Sequence, residues 1–193
     1  MRIGVLGLQG DVSEHVEKFK ALGVESVWVR TPSQLSECNA LVIPGGESTT
    51  IGDLMRKAGL FGEIRRRALK GMPLWGTCAG AIIMAKKGDS QVKKTGQKLL
   101  GLMDMRVNRN AFGRQRESFE VDVEFADFKG PFPAVFIRAP AIEEVFGNCK
   151  PLALYGKKIV AARQGNFLAT AFHPELTRDT RIHEYFLRMC YKV

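Results

Sequence analysis

The chain has 193 residues, 45% of them hydrophobic and 25% charged, with a formal net charge of +9 at pH 7. This length and balance are typical of one globular domain with a sizeable core, so we interpret residues 1–193 as a single domain. No apolar run reaches the length of a membrane span, and the first residues, MRIGVLGLQGD, lack the pattern of a signal peptide, so we expect neither a membrane protein nor a secreted one.

Strand and helix patterns alternate through the first half of the chain. Short apolar runs predict strands at 2–8, 26–30, 40–46 and 73–76. Amphipathic stretches predict helices at 11–22, 49–58, 60–70 and from Cys78 to about Lys87. Because these strands are apolar on both faces, the pattern favours an α/β fold in which helices cover both faces of a mostly parallel sheet.

The second half begins with a stretch of different character. Residues 118–125 (SFEVDVEF) alternate between polar and apolar side chains, which indicates a strand with one wet face and therefore an antiparallel section. Further strands are predicted within 134–140, 157–165 and 167–175. The tail, from about Asp179 to Tyr191, predicts a helix whose inward face carries Ile182, Phe186 and Met189.

One cysteine stands at the corner between a predicted strand and a predicted helix, in the pentapeptide GTCAG. A nucleophile on such a turn points out of the sheet, and the crowded turn needs small residues on both sides, as Gly76 and Gly80 are. The following helix presents free N–H groups and the positive end of its dipole, which favours the thiolate of Cys78. The pentapeptide alone also fits a buried, inert cysteine, which is our interpretation of the other three, Cys38, Cys149 and Cys190.

The cysteines and histidines limit the other kinds of site. The four cysteines are widely spaced and form no CxxC pair, so we expect free thiols in a reducing cytoplasm. The three histidines do not cluster with cysteines at ligand spacing, so we expect no metal site. No GK[ST] follows the glycines of LVIPGGESTT, and GVLGLQG lacks the GxGxxG spacing, so we expect no phosphate loop and no cofactor.

A cysteine nucleophile needs a general base, and the segment FLATAFHPEL offers His173 followed by Glu175. Pro174 biases His173 toward an extended backbone, in which residues i and i+2 project to the same side, about 6.6 Å apart. Glu175 would then hold the imidazole in one tautomer and stabilise its cation. We interpret the other two histidines, His15 and His183, as ordinary surface or cap residues.

The glycine pair in LVIPGGESTT follows a predicted strand and indicates an anion site. Backbone N–H groups next to glycine approach a developing oxyanion easily, so we predict an oxyanion hole formed by the N–H groups of Gly46 and Ala79. The loop also fits a plain strand-to-helix turn capped by Ser48 or Thr49. The segment GLQGD (residues 7–11) should lie near this loop, because both follow strands of one parallel sheet.

The positive charge is unevenly distributed along the chain. Residues 86–116 hold nine Lys or Arg against two Asp, and residues 117–127 then hold five acidic residues. No recognition motif and no interleaved aromatic residues accompany the basic ones, so we expect no nucleic acid. We interpret the basic residues as a solvated surface, with a patch for a protein partner as the alternative.

Six segments resemble those of the triad-type glutamine amidotransferases: GVLGLQGD, PGGESTT, GTCAG, RNAFGRQRESFE, FIRAP and AARQGNFLATAFHPELT. GTCAG and HPE are typical of the whole group. PGGESTT, the RN-x-FGRQ-x-x-SFE run and FIRAP resemble, more narrowly, the glutaminase subunits of the two-subunit pyridoxal 5'-phosphate synthases. The resemblance covers nearly the whole chain and implies a flavodoxin-like fold, in agreement with the alternating pattern.

The resemblance implies hydrolysis of L-glutamine to L-glutamate and ammonia through a thioester on Cys78, with His173 and Glu175 completing a triad. The ammonia would pass to a separate synthase subunit that builds pyridoxal 5'-phosphate. The resemblance also implies a set of residues that hold the glutamine head group, namely Gly46, Glu47, Ser48, Arg109, Ile137 and Arg138. Glutaminase subunits of other amidotransferases and related cysteine hydrolases or peptidases share the cysteine corner and are the alternatives.

Overall fold

The computed structural model describes residues 1–109 and 118–191. In these residues strands and helices alternate through the first half, as the apolar pattern predicted. The strands are β1 (Arg2–Leu6), β2 (Glu25–Val29), β3 (Ala40–Ile43), β4 (Leu74–Thr77), β5 (Ala85–Gly88), β6 (Met103–Asn108), β7 (Phe119–Val123), β8 (Phe132–Phe136), β9 (Ala141–Val145), β10 (Lys150–Tyr155), β11 (Lys158–Gln164) and β12 (Phe167–Thr170). The helices are α1 (Val12–Ala21), α2 (Pro32–Ser36), α3 (Ser48–Lys57), α4 (Leu60–Leu69), α5 (Ala79–Met84), α6 (Ser90–Lys94) and α7 (Arg181–Cys190), with a 3₁₀ turn at Pro174–Leu176.

The main sheet follows the order β2-β1-β3-β4-β12-β11-β9-β6-β5, and β10 pairs with β11 outside this path. Its first five strands are parallel to one another. β1, β3 and β4 are buried almost throughout, because layers of structure cover both of their faces. The order of the five parallel strands is that of a flavodoxin-like fold, so the predicted three-layer architecture is confirmed.

Helices enclose a hydrophobic core on each face of the sheet. α1 and α7 cover one face, where Phe19, Trp75 and Phe186 are fully buried. α3, α4 and α5 cover the other face and bury Ile51 and Ile64. The predicted inward face of the tail helix is confirmed, because Ile182, Phe186 and Met189 are all buried. In residues 1–109 and 118–191, no helix combines the length and the apolar character that a membrane crossing requires.

β7 and β8 form a separate antiparallel ribbon that packs on the side of α1 and α7. The alternation predicted for residues 118–125 is confirmed, because Val123 and Phe125 are buried whereas Glu120 and Asp122 are exposed. A second antiparallel section lies within the main sheet, where β11 pairs with β9, β10 and β12.

Several short elements have no clear signal in the sequence, namely α2, α6, β5, β6, β9 and β10. The helix that begins after Cys78 ends at Met84, and the prediction that it continues to Lys87 is wrong. The next four residues instead form the edge strand β5, which pairs with β6. Its exposed Lys86 and Lys87 are typical of an edge strand, where charged side chains hinder pairing with another chain.

Candidate active site

The carboxyl ends of the parallel strands β1, β3, β4 and β12 meet at one edge of the sheet, the usual position of a ligand site in such folds. A cavity of about 440 Å³ opens there. Most of the predicted site residues line it, namely Gly46, Glu47, Ser48, Cys78, Ala79, Arg109, Ile137, Arg138 and His173. Glu175 lies directly behind His173. The cavity is also lined by residues for which the sequence predicted no role, Gln9, Asp11, Ile82 and Pro140.

Cys78 occupies the corner between β4 and α5 with φ 47° and ψ −103°, a conformation that is unusual for a residue with a side chain. A Cβ atom on Gly76 would lie 2.5 Å from the carbonyl carbon of Gly80, and one on Gly80 would lie 2.0 Å from the carbonyl oxygen of Ile43. Neither position tolerates a side chain, which explains the glycines on both sides of the cysteine. The N–H group of Cys78 donates to the carbonyl oxygen of Thr170 at 2.8 Å, which ties the corner to β12.

His173 follows β12, and its ring contacts both of its predicted partners. Nδ1 lies 2.7 Å from Oε1 of Glu175, whose side chain is fully buried, and the ring also contacts the thiol of Cys78. The predicted extended backbone from His173 to Glu175 is wrong, because Pro174–Leu176 form a 3₁₀ turn. The tight curvature of this turn brings the carboxylate of Glu175 to the ring of His173. An extended strand, in which residues i and i+2 project to the same side, is not the cause of the contact.

A second carboxylate faces the same ring nitrogen. Oδ2 of Asp11 lies 3.3 Å from Nδ1 of His173. Burial opposes a charge on His173, but the contacts with Asp11, Cys78 and Glu175 outweigh it and raise the pKa of the ring to about 12. The contact with His173 also lowers the pKa of Asp11. His173 is therefore an imidazolium at neutral pH, and an imidazolium beside a thiol stabilises the thiolate.

Asp11, His173 and Glu175 bring ligand atoms within 4.8 Å of one another, close enough to consider a metal ion. The two carboxylate oxygens, however, both face the same nitrogen, Nδ1 of His173, at 2.7 and 3.3 Å. This is the arrangement in which one imidazolium N–H is shared between two acceptors. We therefore interpret the group as a hydrogen-bonded set and not as a metal centre.

The interpretation of His15 and His183 as surface or cap residues is wrong, because both rings are fully buried between α1 and α7. Burial lowers the pKa of His15 to about 4 and that of His183 to about 3, and the charge of Lys18 adds to the shift of His183. The sequence contained a signal for this burial. His15 follows Val12 by three residues and precedes Phe19 by four, so it lies on the apolar face of α1.

We expect this buried pair to reduce the stability of the protein in acid. Both rings are neutral in the folded protein but take up protons near pH 6.5 in the unfolded chain. The free energy of unfolding is therefore unaffected by the two rings above pH 6.5 and is lowered progressively as the pH falls toward 4. At pH 5 each ring lowers the free energy of unfolding by about 2 kcal/mol relative to pH 8. The charged groups that face the pair are Asp11, Lys18, His173 and Glu175.

The variant His183→Phe measures the effect of one ring, because phenylalanine keeps the aromatic packing and does not titrate. Urea unfolding at pH 8 and pH 5 gives the stability lost by each protein. The variant should lose about 2 kcal/mol less than the wild type over this interval. Equal losses in the two proteins would show that His183 is charged, or exposed, in the folded state.

The loop after β3 carries the predicted oxyanion donor Gly46 and lies against the loop after β1, which confirms the expected proximity of the two segments. Oε1 of Gln9 accepts a hydrogen bond from the N–H group of Glu47 at 2.9 Å. A Cβ atom on Gly10 would lie 1.6 Å from the carbonyl oxygen of Gly45. Gly46 has φ 146°, a conformation that suits glycine. Residues 7–11 are therefore in direct contact with the loop that carries the donor.

Glu47 and Arg109 form an ion pair at one wall of the cavity, with Oε1 2.7 Å from Nη2. The cap of α3 is Glu47, and not Ser48 or Thr49, because its carboxylate accepts from the N–H groups of Thr49 and Thr50. Burial opposes the charge, but these hydrogen bonds outweigh it and lower the pKa of Glu47 to about 2. Glu47 and Arg109, the two predicted groups of opposite sign, thus stand at the same wall of the cavity.

Ser48, Ile137 and Arg138 complete the predicted wall. The hydroxyl of Ser48 donates to Oε1 of Gln97 at 3.2 Å. Ile137 and Arg138 follow β8, and Arg138 has φ 42°, a strained conformation for a residue with a side chain and one that is often found at binding sites. Residues 110–117, which hold most of the RNAFGRQRESFE motif, lie outside the described residues.

The remaining three cysteines are free thiols away from the cavity. Cys38 and Cys149 are buried and Cys190 is half-buried. Burial raises the pKa of Cys38, that of Cys149 to about 11 and that of Cys190 to about 12. Such thiols are protonated and unreactive at neutral pH, in agreement with their interpretation as small hydrophobic residues.

Comparison with known proteins agrees with this geometry. The family model of the SNO glutamine amidotransferases matches residues 5–192. The pyridoxal 5'-phosphate synthase subunit PdxT of Methanocella arvoryzae is 56% identical over 98% of this chain and 97% of its own length. That of Archaeoglobus fulgidus is 53% identical over 98% of each chain. A crystal structure of a glutamine amidotransferase superposes with a TM-score of 0.91 at 48% identity over 98% of both chains. The chain therefore belongs to the SNO glutamine amidotransferase family.

Proposed function

We propose that the chain hydrolyses the side-chain amide of L-glutamine and delivers the ammonia to a separate pyridoxal 5'-phosphate synthase subunit. The observation that carries the proposal is the series of contacts from Cys78 through His173 to Glu175 at the cavity. The names of the relatives support the choice of product and of partner.

The reaction begins when the thiolate of Cys78 attacks the amide carbon of glutamine. The N–H groups of Gly46 and Ala79 stabilise the negative charge that develops on the amide oxygen. The imidazolium of His173 gives its proton to the amide nitrogen, which departs as ammonia and leaves an acyl thioester on the sulfur. Neutral His173 then takes a proton from water, whose oxygen attacks the thioester and releases glutamate. Glu175 keeps the ring oriented through Nδ1 in both steps.

Glutamine is a zwitterion, so its head group needs charges of both signs from the protein. We assign the ammonium group to Glu47 and the carboxylate to a guanidinium, that of Arg109 or Arg138, because the planar fork suits a carboxylate. The ion pair of Glu47 and Arg109 supports this assignment, because it holds both charges 2.7 Å apart at one wall. Ser48 and Ile137 complete the set at the neighbouring positions.

We also propose that residues 1–193 act as one glutamine amidotransferase domain in the cytoplasm, without metal, cofactor, membrane or nucleic acid. The free cysteines support a reducing compartment. The basic residues at 86–116 come without a nucleic-acid recognition motif, so the expectation of no nucleic acid stays a prediction.

Release of glutamate and ammonia from L-glutamine, measured together with the synthase subunit, tests the proposal. Short peptides serve as competing substrates in the same assay. Hydrolysis of peptides in place of glutamine would indicate a cysteine peptidase, and hydrolysis of neither would reject the proposal. Transfer of the ammonia is followed separately by the formation of pyridoxal 5'-phosphate from sugar phosphates.

We expect the synthase subunit to raise kcat for glutamine about 10²-fold and to change KM much less. Gln9 and Gly10 couple the loop at 7–11 to the loop that carries Gly46, so a partner docked on the first loop re-aims the donor in the second. A misplaced oxyanion donor costs about 10²–10³ in turnover and acts mainly in the transition state. Steady-state kinetics with and without the partner decide the point. Equal kcat values would contradict the coupling, and a change in KM alone would indicate an effect on substrate binding.

A further inference from the structure

The carboxylate of Glu175 has one oxygen that is hydrogen-bonded and one that is not. Oε1 lies 2.7 Å from Nδ1 of His173. Oε2 is buried and, among the described residues, has no hydrogen-bond partner. A buried carboxylate oxygen without a donor is costly, so a neighbouring group that could donate to it is significant. The ring of His15 is such a group, because its Nε2 lies 3.4 Å from Oε2.

Packing fixes the orientation of the His15 ring. The ring meets Trp75 edge to face, with centroids 5.1 Å apart and planes at 82°. His183 packs against the same indole at 4.8 Å and against Phe19 at 5.1 Å. Nδ1 of His15 lies 3.1 Å from Nε2 of His183. Two helices, α1 and α7, therefore hold a pair of imidazoles beside Oε2 of Glu175.

The hydrogen bonds available to the two rings distinguish their tautomers. If His15 carries its proton on Nε2, the donor nitrogen lies 3.4 Å from Oε2 of Glu175 and 3.3 Å from the hydroxyl of Thr77. Its Nδ1 then accepts from Nε2–H of His183, and only a lone pair on Nδ1 of His183 is left without a partner. The opposite tautomer points a lone pair at the carboxylate and leaves a buried N–H on His183 unpaired, which proteins tolerate least.

We propose that His15 is a positioning residue of the active site: neutral His183 donates to His15, and Nε2–H of His15 donates to Oε2 of Glu175, so that the carboxylate is held at both oxygens. This inference rests on the proposed function, in which Glu175 orients His173. Burial of both rings accords with it, because burial keeps an imidazole neutral and thus able to accept at one nitrogen and donate at the other.

The second anchor matters because His173 has another acceptor within reach. A carboxylate held at one oxygen can turn about its last bond, and Oδ2 of Asp11 lies only 3.3 Å from Nδ1 of His173. Asp11 is partly exposed, whereas Glu175 is buried. His15 thus keeps the ring paired with the buried carboxylate and aimed at the sulfur of Cys78, a precise alignment on which proton transfer depends.

Three variants test the proposal in the complex with the synthase subunit, with L-glutamine as substrate. His15→Leu removes the donor and keeps an apolar side chain of similar size. His15→Gln restores an amide N–H near the position of Nε2. His183→Phe keeps the aromatic packing but leaves Nδ1 of His15 without its donor. Melting temperatures show that each variant is folded before kinetics are compared.

We expect His15→Leu to lower kcat about 10–10²-fold, the loss typical of residues that orient a functional group through a hydrogen bond, with KM within about threefold. His15→Gln should recover most of the lost kcat, and His183→Phe should lose less than His15→Leu. A kcat for His15→Leu within twofold of the wild type would overturn the proposal. Equal losses in the Leu and Gln variants would also overturn it, because packing alone would then account for both.

A spectroscopic measurement keeps the proposal testable where a variant does not fold. The chain contains three histidines, so the imidazole region of a ¹H–¹⁵N correlation spectrum is simple to assign. In the wild type, His15 and His183 should both be neutral Nε2–H tautomers between pH 5.5 and pH 8. An Nδ1–H tautomer of His15, or its titration near pH 6.5, would overturn the proposal. This measurement does not depend on activity. A wild type that fails to hydrolyse glutamine would reject the proposed function, whereas the tautomers of His15 and His183 would still test the hydrogen bonds proposed here.

Discussion

Replacement of Cys78 by alanine should abolish glutamine hydrolysis and leave the fold intact. The thiolate is the atom that forms the acyl intermediate, and loss of the nucleophile costs about 10⁶ in turnover in a well-studied serine protease. Alanine keeps the Cβ atom, so the strained corner at φ 47° carries the same steric load in the variant. The measurement is ammonia release in the complex with the synthase subunit, and we expect a loss of more than about 10⁴-fold.

The matched control replaces the other three cysteines together by alanine. Cys38, Cys149 and Cys190 lie away from the cavity, so kcat should stay within about twofold of the wild type. The control will melt at a lower temperature, because two of the deleted thiols are buried. Turnover that survives in Cys78→Ala, or that is lost in a folded triple variant, would remove Cys78 from its proposed role.

Replacement of Glu175 by glutamine should lower kcat by about 10³-fold. The side chain is fully buried and its Oε1 lies 2.7 Å from Nδ1 of His173. Glutamine keeps the shape but can turn its NH₂ group toward the ring, which selects the wrong tautomer. The corresponding change in a serine protease costs about 10⁴. We expect a smaller loss here, because a thiolate depends less on its base than a hydroxyl does.

Turnover at saturating glutamine measures this effect, with Glu175→Ala as a second variant. Alanine leaves a cavity in place of the buried carboxylate, so it should lose stability as well as kcat. Asp11 can then take over the hydrogen bond from His173, which sets a lower limit to the activity of both variants. Wild-type turnover in both folded variants would remove Glu175 from the mechanism.

The sequence predicted the parallel half of the fold well, because its strands are buried on both faces. β1, β3 and β4 read as continuous apolar runs, a pattern that few other structures produce. The short elements of the antiparallel half were missed for the opposite reason. β10 has one buried residue, Ala153, and mostly exposed neighbours, so no apolar run marks it. Its position depends on pairing with β11, a long-range contact that local sequence does not encode.

The residues of the candidate site were predicted where a local motif marks them. In GTCAG and in HPE, the neighbouring glycines or proline indicate a turn, and this turn carries the functional side chain. Asp11 and His15 were missed as partners of the triad because their roles depend on tertiary contacts with His173 and Glu175. His15 was also misjudged as polar surface, although its spacing placed it on the apolar face of α1. A histidine on the apolar face of a helix is expected to be buried, and a buried imidazole is usually hydrogen-bonded to another protein group.

The position of β12 beside β4 has a consequence for how the active site forms during synthesis of the chain. Cys78 and His173 approach each other only when the last strand of the chain pairs with a strand made some ninety residues earlier, and His183 lies beyond that strand in α7. Such distant pairings form late, because the entropy cost of closing the loop comes before the contacts can stabilise the pairing. A growing chain on the ribosome therefore holds Cys78 without His173. We expect no glutamine hydrolysis before β12 has paired with β4.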